Sequence, residues 1–543
     1  MASRLRPVVQ QDMSKGMNLV TNPYIVGAKQ GLLYTNLLLD EHGSLRVRDG
    51  TLIAMTSPDT GTKRPIVKMW HFIHANGTHQ PLVLVRGLSG NNELYDATVP
   101  AAWVSVGGLG TKYELPDMLP FLAQMLIANG YEVPYKYDGT TLAHITSSTG
   151  TVPGGAKHQT LHQGYHFLWN TAATSGTLDG PSSLRSSDLN SVTSYPAANQ
   201  IFIDKDDGEP GMGMGQFTIA ESGISPSTSQ ILFKTYSAYQ MTGVFGSTAP
   251  AFAVQRIKSD MGCLAPRSIH FAPGFGLIRL SHRGFALFDG VDDKLISEEI
   301  RPLLFGSLGY VGIDWTNVAL AYSELVPNPP LYICACPIAG AALSRIFVFD
   351  LVRQAWTVLQ YPQNIASFYA HEDPDALPVM YAGDYDAGTI RALFAGAEDD
   401  DGTPISWQAA VRPAPGSSPQ QPAYFRRAIV KVAGGRAGQT INAQAIFGPL
   451  TQVIATEVDR VLTLGVTGSL APLFGYGLDA YSTGAFGGGG GGNNAGLEQD
   501  LTMDLGVIGN NARLNLSGQG RLTLRGIEWH VRPKPIGRGA LLG

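Results

Sequence analysis

One short unit recurs along this chain, and it limits the possible folds more than any other feature. An apolar run ends in an aromatic residue and an aspartate, a turn follows, and a second strand-like run begins. The four copies read ELYDATVPAAW (93–103), YKYDGTTL (135–142), FALFDGVDDKLI (285–296) and FVFDLVRQAWTVL (347–359). Tryptophan follows in two of them, Trp103 after Asp96 and Trp356 after Asp350. The physics is that of a strand entering a tight turn. The Asp carboxylate accepts hydrogen bonds from backbone amides just ahead of it, and the aromatic ring packs between sheets. Asp96 and Asp138 lie 42 residues apart, Asp289 and Asp350 lie 61 apart, and the 151 residues from Asp138 to Asp289 leave room for divergent copies. Four-stranded blades of roughly 40–50 residues match that spacing, with insertions stretching some of them. The expectation is an all-β chain in which residues 51–397 form a β-propeller of about six blades with inserted loops.

The flanks read differently. Residues 1–50 carry polar and apolar patches without the blade pattern, which predicts an extended N-terminal arm. The acidic run EDDDG (398–402) marks the propeller's exit. Beyond it RRAIVKVAG (426–434), QTINAQAIFG (439–448) and RLTLRGIEWHVRP (521–533) alternate apolar and polar residues over longer runs. Residues 398–543 are therefore expected to form a C-terminal antiparallel β-domain. Within it FGGGGGGNN (486–494) is too rich in glycine to pack and predicts a mobile hairpin tip. Inside the propeller range, PDMLPFLAQMLIANG (116–130) has helical spacing and ends on the helix stop Asn129-Gly130. Residues 171–200, rich in Ser, Thr, Asn and Pro, predict a long ordered loop.

Charged residues make up 15% of the chain, against about 25% in ordinary soluble domains. Glycine, at 65 of 543 residues, exceeds the usual ~7%. Both suit short strands joined by tight turns, with much surface facing other molecules rather than water. The net charge of -5 gives no general attraction for nucleic acid. Three cysteines (Cys263, Cys334 and Cys336) cannot make a disulfide framework. Cys334 and Cys336 would share one face of the apolar strand LYICACP, with no Cys or His pair nearby to complete a metal site. No signal-type segment opens the chain, and no apolar run reaches the ~18 residues of a membrane span. The expectation is a protein made and kept soluble in a cytoplasm.

Candidate chemistry is sparse. His158, His162 and His166 stand four apart in HQTLHQGYH, but their surroundings are strand-like. In a strand such neighbours are about 13 Å apart, too far for one metal ion. DKDDGE (204–209) opens like a calcium loop with Asp204 and Asp206, yet its glycine falls fifth rather than sixth, and Gly215 stands where the closing Glu is required. A turn between strands is the favoured reading. SPDTGTK (57–63) shares Ser57, Asp59 and Gly61 with the Asp-box of sialidase-type propellers but lacks its Thr-Trp ending. GFG (274–276) and GMGMG (211–215) lack the strand-to-helix setting and the lysine of nucleotide loops. No Ser-His-Asp or Cys-His arrangement stands out. No catalytic residue, cofactor or metal is expected, and the chain does not read as an enzyme.

A further series runs in order along the chain. KGMNLVTNPYIVGAKQGLLYTNLLLDEHGSLRVRDG (15–50) carries Gly16, Asn18, Asn36, Asp40, Gly43, Leu45, Arg48 and Gly50. ANGYEVPYKYDGTTL (128–142) and LWNTAATSGTLDGPSSLRSSDLNSV (168–192) come next, then ILFKTYSAYQMTG (231–243), GCLAPRSI (262–269) and LIRLSHRGFALFDGVDDKLISEEI (277–300). YFRRAIVKVAG (424–434) and LRGIEWHVRPKP (524–535) close the series. In this order, over about four-fifths of the chain, the segments resemble the tail nozzle (tail tubular B-type, or DNA-stabilisation) proteins of short-tailed bacteriophages. One extra residue precedes Pro134 relative to that family's pattern, and the polyglycine tip and the short C-terminal domain have no counterpart in it.

The resemblance implies a structural virion protein of the tail, assembled in the host cytoplasm. It implies a homo-oligomeric ring, usually of six copies, hung below the portal and head–tail adaptor and meeting tail fibres or spikes. A central channel would retain packaged double-stranded DNA and let it leave on infection, without sequence-specific binding. Propellers would sit peripherally, while parts of the terminal β-domain and insertions would line and close the channel. Residues 1–50 would cross to a neighbouring subunit or to the adaptor. On its predicted mobility, the tip with Phe486, Gly487, Gly488, Gly489, Gly490, Asn493 and Asn494 is the candidate channel gate. The physical case agrees, because fixed cations gripping phosphates would brake a moving genome, and low charge suits large subunit contacts. The rival reading is a glycan-binding or glycan-cleaving receptor-recognition propeller, which needs an aromatic-lined pocket with carboxylates. The plainest is a monomeric propeller scaffold.

Overall fold

Alternating side chains and capped turns fold Leu52–Phe347 with Tyr361–Ala395, one of two compact units, into successive antiparallel meanders. The computed structural model describes residues 6–21, 26–40, 42–56, 64–74, 76–86, 91–100, 102–110, 115–172, 180–219, 227–244, 251–341, 343–371, 378–415, 423–436, 438–447, 456–464 and 498–533. Blade 1 comprises Ile66–Ile73, His79–Arg86, Asn92–Asp96 and Val104–Gly108. Blade 2 comprises Asp117–Phe121, Gln124–Ala128, Tyr135–Tyr137 and Leu142–His144. Blade 3 comprises His158–His162, Tyr165–Trp169, Ser183–Ser186 and Gln200–Phe202. Blade 4 comprises Gly211–Ile219, Ser227–Lys234, Ala238–Val244 and Ala251–Arg256. Blade 5 comprises His270–Ala272, Gly276–Ser281, Gly284–Phe288 and Asp293–Leu295. Blade 6 begins with Tyr322–Val326, Leu331–Pro337 and Ser344–Asp350. Blade 7 comprises Ile365–His371, Val379–Asp384 and Thr389–Leu393, with Leu52–Thr56 as its outer strand.

Each inner strand packs on the inner strands of the blades before and after it, and blade 7 packs on blade 1. The sheets therefore close a ring, which is the defining feature of a β-propeller. Among the described residues seven blades stand where about six were expected. Blades 3 and 4 fill the gap between Asp138 and Asp289 without the aromatic–Asp signature, and blade 7 is completed by a strand from the other end of the unit. Leu52–Thr56 pairs antiparallel with Thr389–Leu393, so the ring is closed by a ladder that no local period reveals.

The repeated Asp does what its chemistry allows. Asp96 Oδ1 accepts from the Thr98 amide at 2.9 Å, Asp138 Oδ1 from Thr140 and Thr141 at 2.9 and 2.8 Å, and Asp289 Oδ1 from Val291 and Asp292 at 3.1 and 2.8 Å. Each sits at the end of a blade's third strand and turns the chain into the outer one. The preceding aromatic packs against the blade before: Tyr95 with Ile390 of blade 7, Tyr137 with Leu82 of blade 1, and Phe288 with Phe233 of blade 4. The repeat is therefore a joint between blades as well as a turn.

Two local expectations fail. Residues 116–130 form the first hairpin of blade 2, not a helix, turning through Leu122 and Ala123 at φ 51 and 56°. A helix would have placed Pro120 in its interior, without the amide it needs. In the hairpin Pro120 lies on an inner strand, a sheet edge where that loss is tolerated. Within 171–200, Ser183–Ser186 is the buried third strand of blade 3, because cross-strand pairing with Tyr165–Trp169 overrides its loop-like composition.

The second unit gathers Met1–Thr51, Val348–Gln360 and Gly396–Gly543. One sheet orders Leu37–Leu39, Leu45–Val47, Thr523–Pro533, Ala423–Ala433 and Glu498–Gly509, with Arg6–Gln10 also paired to Thr523–Pro533. The other orders Ala355–Leu359, Leu33–Thr35, Ser406–Ala410, Asn511–Gln519, Thr440–Phe447 and Thr456–Thr463. Their apolar faces meet: Phe425 lies 5.5 Å from Phe447 and 5.9 Å from Trp529, ring to ring. The N-terminal residues were expected as an arm reaching to another molecule. Instead Arg6–Gln10, Leu33–Thr35, Leu37–Leu39 and Leu45–Val47 are strands of this chain's own sandwich, and Met13, Met17 and Leu45 are buried in it. Edge pairing and apolar burial within the chain satisfy what a free arm would leave exposed.

Candidate functional site

The N-terminal series is a structural node. Arg48 is buried, and its guanidinium donates to both carboxylate oxygens of Asp400 at 2.9 and 2.7 Å. It also donates to Asn36 Oδ1 at 3.1 Å and to the Gln360 carbonyl at 2.9 Å. Asn36 adopts φ 58°, and its amide group donates to the Ser406 carbonyl at 2.7 Å. Gly16 and Gly43 adopt φ 64 and 76° with backbone or side chain packed tightly against them, which leaves no room for a Cβ. Asp400, from the acidic run 398–402, is therefore the countercharge of a buried arginine.

At the propeller's axis the inner strands bring together charges that sequence reading did not connect. Lys68 of blade 1 donates to Asp117 of blade 2 at 2.7 Å. Burial disfavours the Lys68 ammonium, but Asp117 outweighs it and holds the group's pKa above its ordinary value. Glu324 of blade 6, 3.7 Å from His270 of blade 5, has its pKa raised by burial. Arg267, just before blade 5, donates to the Val67 carbonyl of blade 1 at 3.2 Å and lies over the Tyr322 ring. Blades 5 and 1 are not neighbours in the ring, so Arg267 reaches across the axis. Arg267 thus spans the bore.

The three histidines of HQTLHQGYH do not converge on a metal. His158 and His162 lie on the inner strand of blade 3, and His166 lies on its second strand. Burial lowers their pKa values to about 4, about 4 and about 3. His166 sits 2.6 Å from the Tyr195 hydroxyl and 3.1 Å from Gln159 Oε1, a pairing that suits one neutral tautomer. Among the described residues no cluster of three or more His, Cys, Asp or Glu is arranged to hold a metal. The calcium-like run is also spoken for: Asp207 accepts twice from the buried Lys234 ammonium at 2.6 and 2.7 Å, and the Asp204 carbonyl accepts from it at 2.9 Å. A lone lysine ending the apolar run ILFK is the sequence signal for a buried cation, and the fold brings it to Asp207 across 27 residues. Cys334 and Cys336 are buried in blade 6 with their sulfurs 3.7 Å apart, and burial pushes the Cys336 thiol well up. GMGMG is the inner strand of blade 4, where Gly211 lies hard against Trp169 and Gly215 against Leu277. The Asp-box-like residues 57–63 lie outside the described residues, and so does the gate candidate of Phe486, Gly487, Gly488, Gly489, Gly490, Asn493 and Asn494.

The sandwich unit offers a face of unusual chemistry. On the outward side of its second sheet, Gln408, Ser517 and Asn442 stand in one cross-strand row, and Asn515 and Gln444 in the next. Asn515 donates to Gln444 Oε1 at 3.2 Å, and Gln444 donates to Glu457 at 3.3 Å. Among the described residues of these rows and the one beyond, the charges are Asp459, Glu457 and Arg513. A cavity of about 1100 Å³ at one end of the same unit is lined by Arg46, Arg436, Arg521 and Arg525. Each has a carboxylate near it: Asp49 for Arg46 and Arg521 at 3.1 and 2.8 Å, Glu398 for Arg436, and Asp40 and Glu498 at 3.9 Å for Arg525. Neither surface presents a run of uncompensated cations.

No family model matches the chain, and no curated protein matches it. Among solved structures it is similar to the WD40 β-propeller domain of Doa1, at 10% identity and a TM-score of 0.36 over 64% of this chain and 97% of that one. It is also similar to chains in crystal structures of BBS1N in complex with ARL6DN. One, soaked with mercury, gives 7% identity and a TM-score of 0.35 over 64% of this chain and 97% of that one. The other, soaked with lead, gives 9% and 0.37 over 65% and 99%. Likenesses at such TM-scores carry no argument. The closed ring of meanders defines the class: an all-β protein with a seven-bladed propeller and a β-sandwich unit.

Proposed function

We propose that the chain is a tail-nozzle protein of a short-tailed bacteriophage, a non-enzymatic subunit of a ring that encloses a passage for double-stranded DNA. The observation that carries this reading is the outward sheet face of Gln408, Ser517, Asn442, Asn515 and Gln444. Amides and hydroxyls keep such a wall wet while giving phosphates no fixed cations to grip, so a duplex slides past it. The paired arginines of the sandwich cavity point the same way. Because Arg267 crosses the propeller's axis, the genome's route in this reading runs between copies of the chain, not through a propeller bore. Six copies would sit below the adaptor, with tail fibres or spikes as further neighbours, and the segment 486–494 would close the exit.

Sedimentation and negative-stain imaging of the purified protein, alone and with the particle's adaptor, are expected to give closed rings. A monomer in both samples overturns the reading. Duplex DNA at about 0.15 M salt, where surface charges are screened beyond ~8 Å, is expected to show no gel retardation by the assembled ring. Shortening 486–494 in an assembling particle is expected to let packaged DNA leak, and full retention would remove that segment from the gate.

A further inference from the structure

Between blades 4 and 5 the propeller carries an open cleft of about 860 Å³ that the passage reading does not use. Tyr236, in the turn between the second and third strands of blade 4, leaves about half its surface exposed at 52%. Its ring is braced edge-on by His282 of blade 5, with centroids 5.0 Å apart and planes at 78°. Beside it, Glu209 Oε2 accepts from the Tyr236 amide at 3.0 Å and the Ser237 hydroxyl at 3.2 Å. This fixes the carboxylate and leaves Oε1 without a hydrogen bond among the described residues. Arg256 and Lys258 line the cleft as exposed cations, and neither has an ion-pair partner among the described residues. Asp260 is already held by Arg283 at 2.8 Å, and Asp293 by Arg279 and Ser259. The cleft therefore offers one braced aromatic face, one fixed acceptor and two uncommitted cations.

We infer that this cleft binds an acidic saccharide, with a hexuronate unit as its core. A pyranose has an apolar C–H face that matches a half-exposed tyrosine ring, and its hydroxyls donate to a fixed carboxylate such as Glu209. A few placed polar groups around an aromatic platform are the usual means of orienting a small ligand. A neutral sugar would leave Arg256 and Lys258 unused, whereas a carboxylate on the ring or its neighbour pairs with them. The site binds without cleaving, because Asp260 and Asp293 are tied in ion pairs and Glu209 stands alone as an available carboxylate. It gives the propeller a recognition role that stands or falls independently of the ring.

Saturation-transfer NMR on the full-length protein tests this with tetrasaccharides of hyaluronan, alginate and polygalacturonate, and with cellotetraose as the neutral comparison. At least one acidic tetrasaccharide is expected to bind, at least tenfold more tightly than cellotetraose. Tyr236→Ala should weaken that binding at least tenfold. The double change Arg256→Ala with Lys258→Ala should bring it down to the level of cellotetraose. These side chains are exposed, and circular dichroism checks that the variants fold like the parent. Absence of transfer to all three acidic probes, equal binding of cellotetraose, or unchanged binding by folded Tyr236→Ala overturns the inference.

Discussion

Arg48 and Lys234 show how a few residues hold this chain to one structure. Each is a cation removed from water, and each is matched by a carboxylate and a backbone carbonyl. Removing a partner strands a buried charge, which costs about 3–5 kcal/mol. Asp400→Ala is expected to lower sandwich stability by that amount in urea denaturation, and a loss below ~1 kcal/mol would show that water reaches Arg48. The histidines of blade 3 set the acid limit. Their folded values of about 4, 4 and 3 lie below the ordinary ~6.5, so the unfolded chain takes up protons first. Stability is complete above pH ~6.5 and is lost as pH falls toward ~4, at up to about 1.4 kcal/mol per pH unit for each ring. Asp289, held down to about 2 by Lys294 and by the amides of its turn, adds a further loss only below pH ~4. The urea midpoint should therefore decline from about pH 6.5, and a midpoint flat to pH ~4.5 would mean that the rings protonate within the fold.

At the scale of elements, turns and one closing strand decide the propeller. Leu122 and Ala123 occupy two successive positions of positive φ, which Asn-Gly adopts far more readily. Leu122→Asn with Ala123→Gly is expected to raise stability by about 0.5–1 kcal/mol, read as a higher melting temperature. A decrease would show that the half-exposed Leu122 packs against something. The outer strand of blade 7 matters more. Four residues of Leu52–Thr56 pair with Thr389–Leu393, and at about 1 kcal/mol per ladder hydrogen bond their loss costs roughly 2–5 kcal/mol. Replacing Leu52–Thr56 by glycine and serine should open the ring to protease between blades 7 and 1. An unchanged digestion pattern would place closure elsewhere. The aromatic–Asp turns were legible beforehand, because capping amides lie two or three residues from the Asp. The 116–130 hairpin was misread because apolar spacing alone did not weigh Pro120.

For the whole molecule, the sequence by itself determined that the chain would be all-β and that blades would recur. Those features follow from alternation and turn chemistry, which act over a few residues. It placed the spaced histidines in strand-like surroundings, but not the hairpin that puts His166 on the strand after His158 and His162. Only the tertiary structure decided the seventh blade, the place of Arg6–Gln10, Leu33–Thr35, Leu37–Leu39 and Leu45–Val47 in the sandwich, and the reach of Arg267 across the bore. Arg48 meets Asp400 across 352 positions, and Arg267 meets Val67 across 200. The cleft at Tyr236 and His282 and the amide face at Gln408, Ser517 and Asn442 arise in the same way, from strands and turns that are adjacent in space and distant in sequence. Such pairings are chosen by the global burial of apolar faces and by the closing of sheet edges, and no local pattern records them.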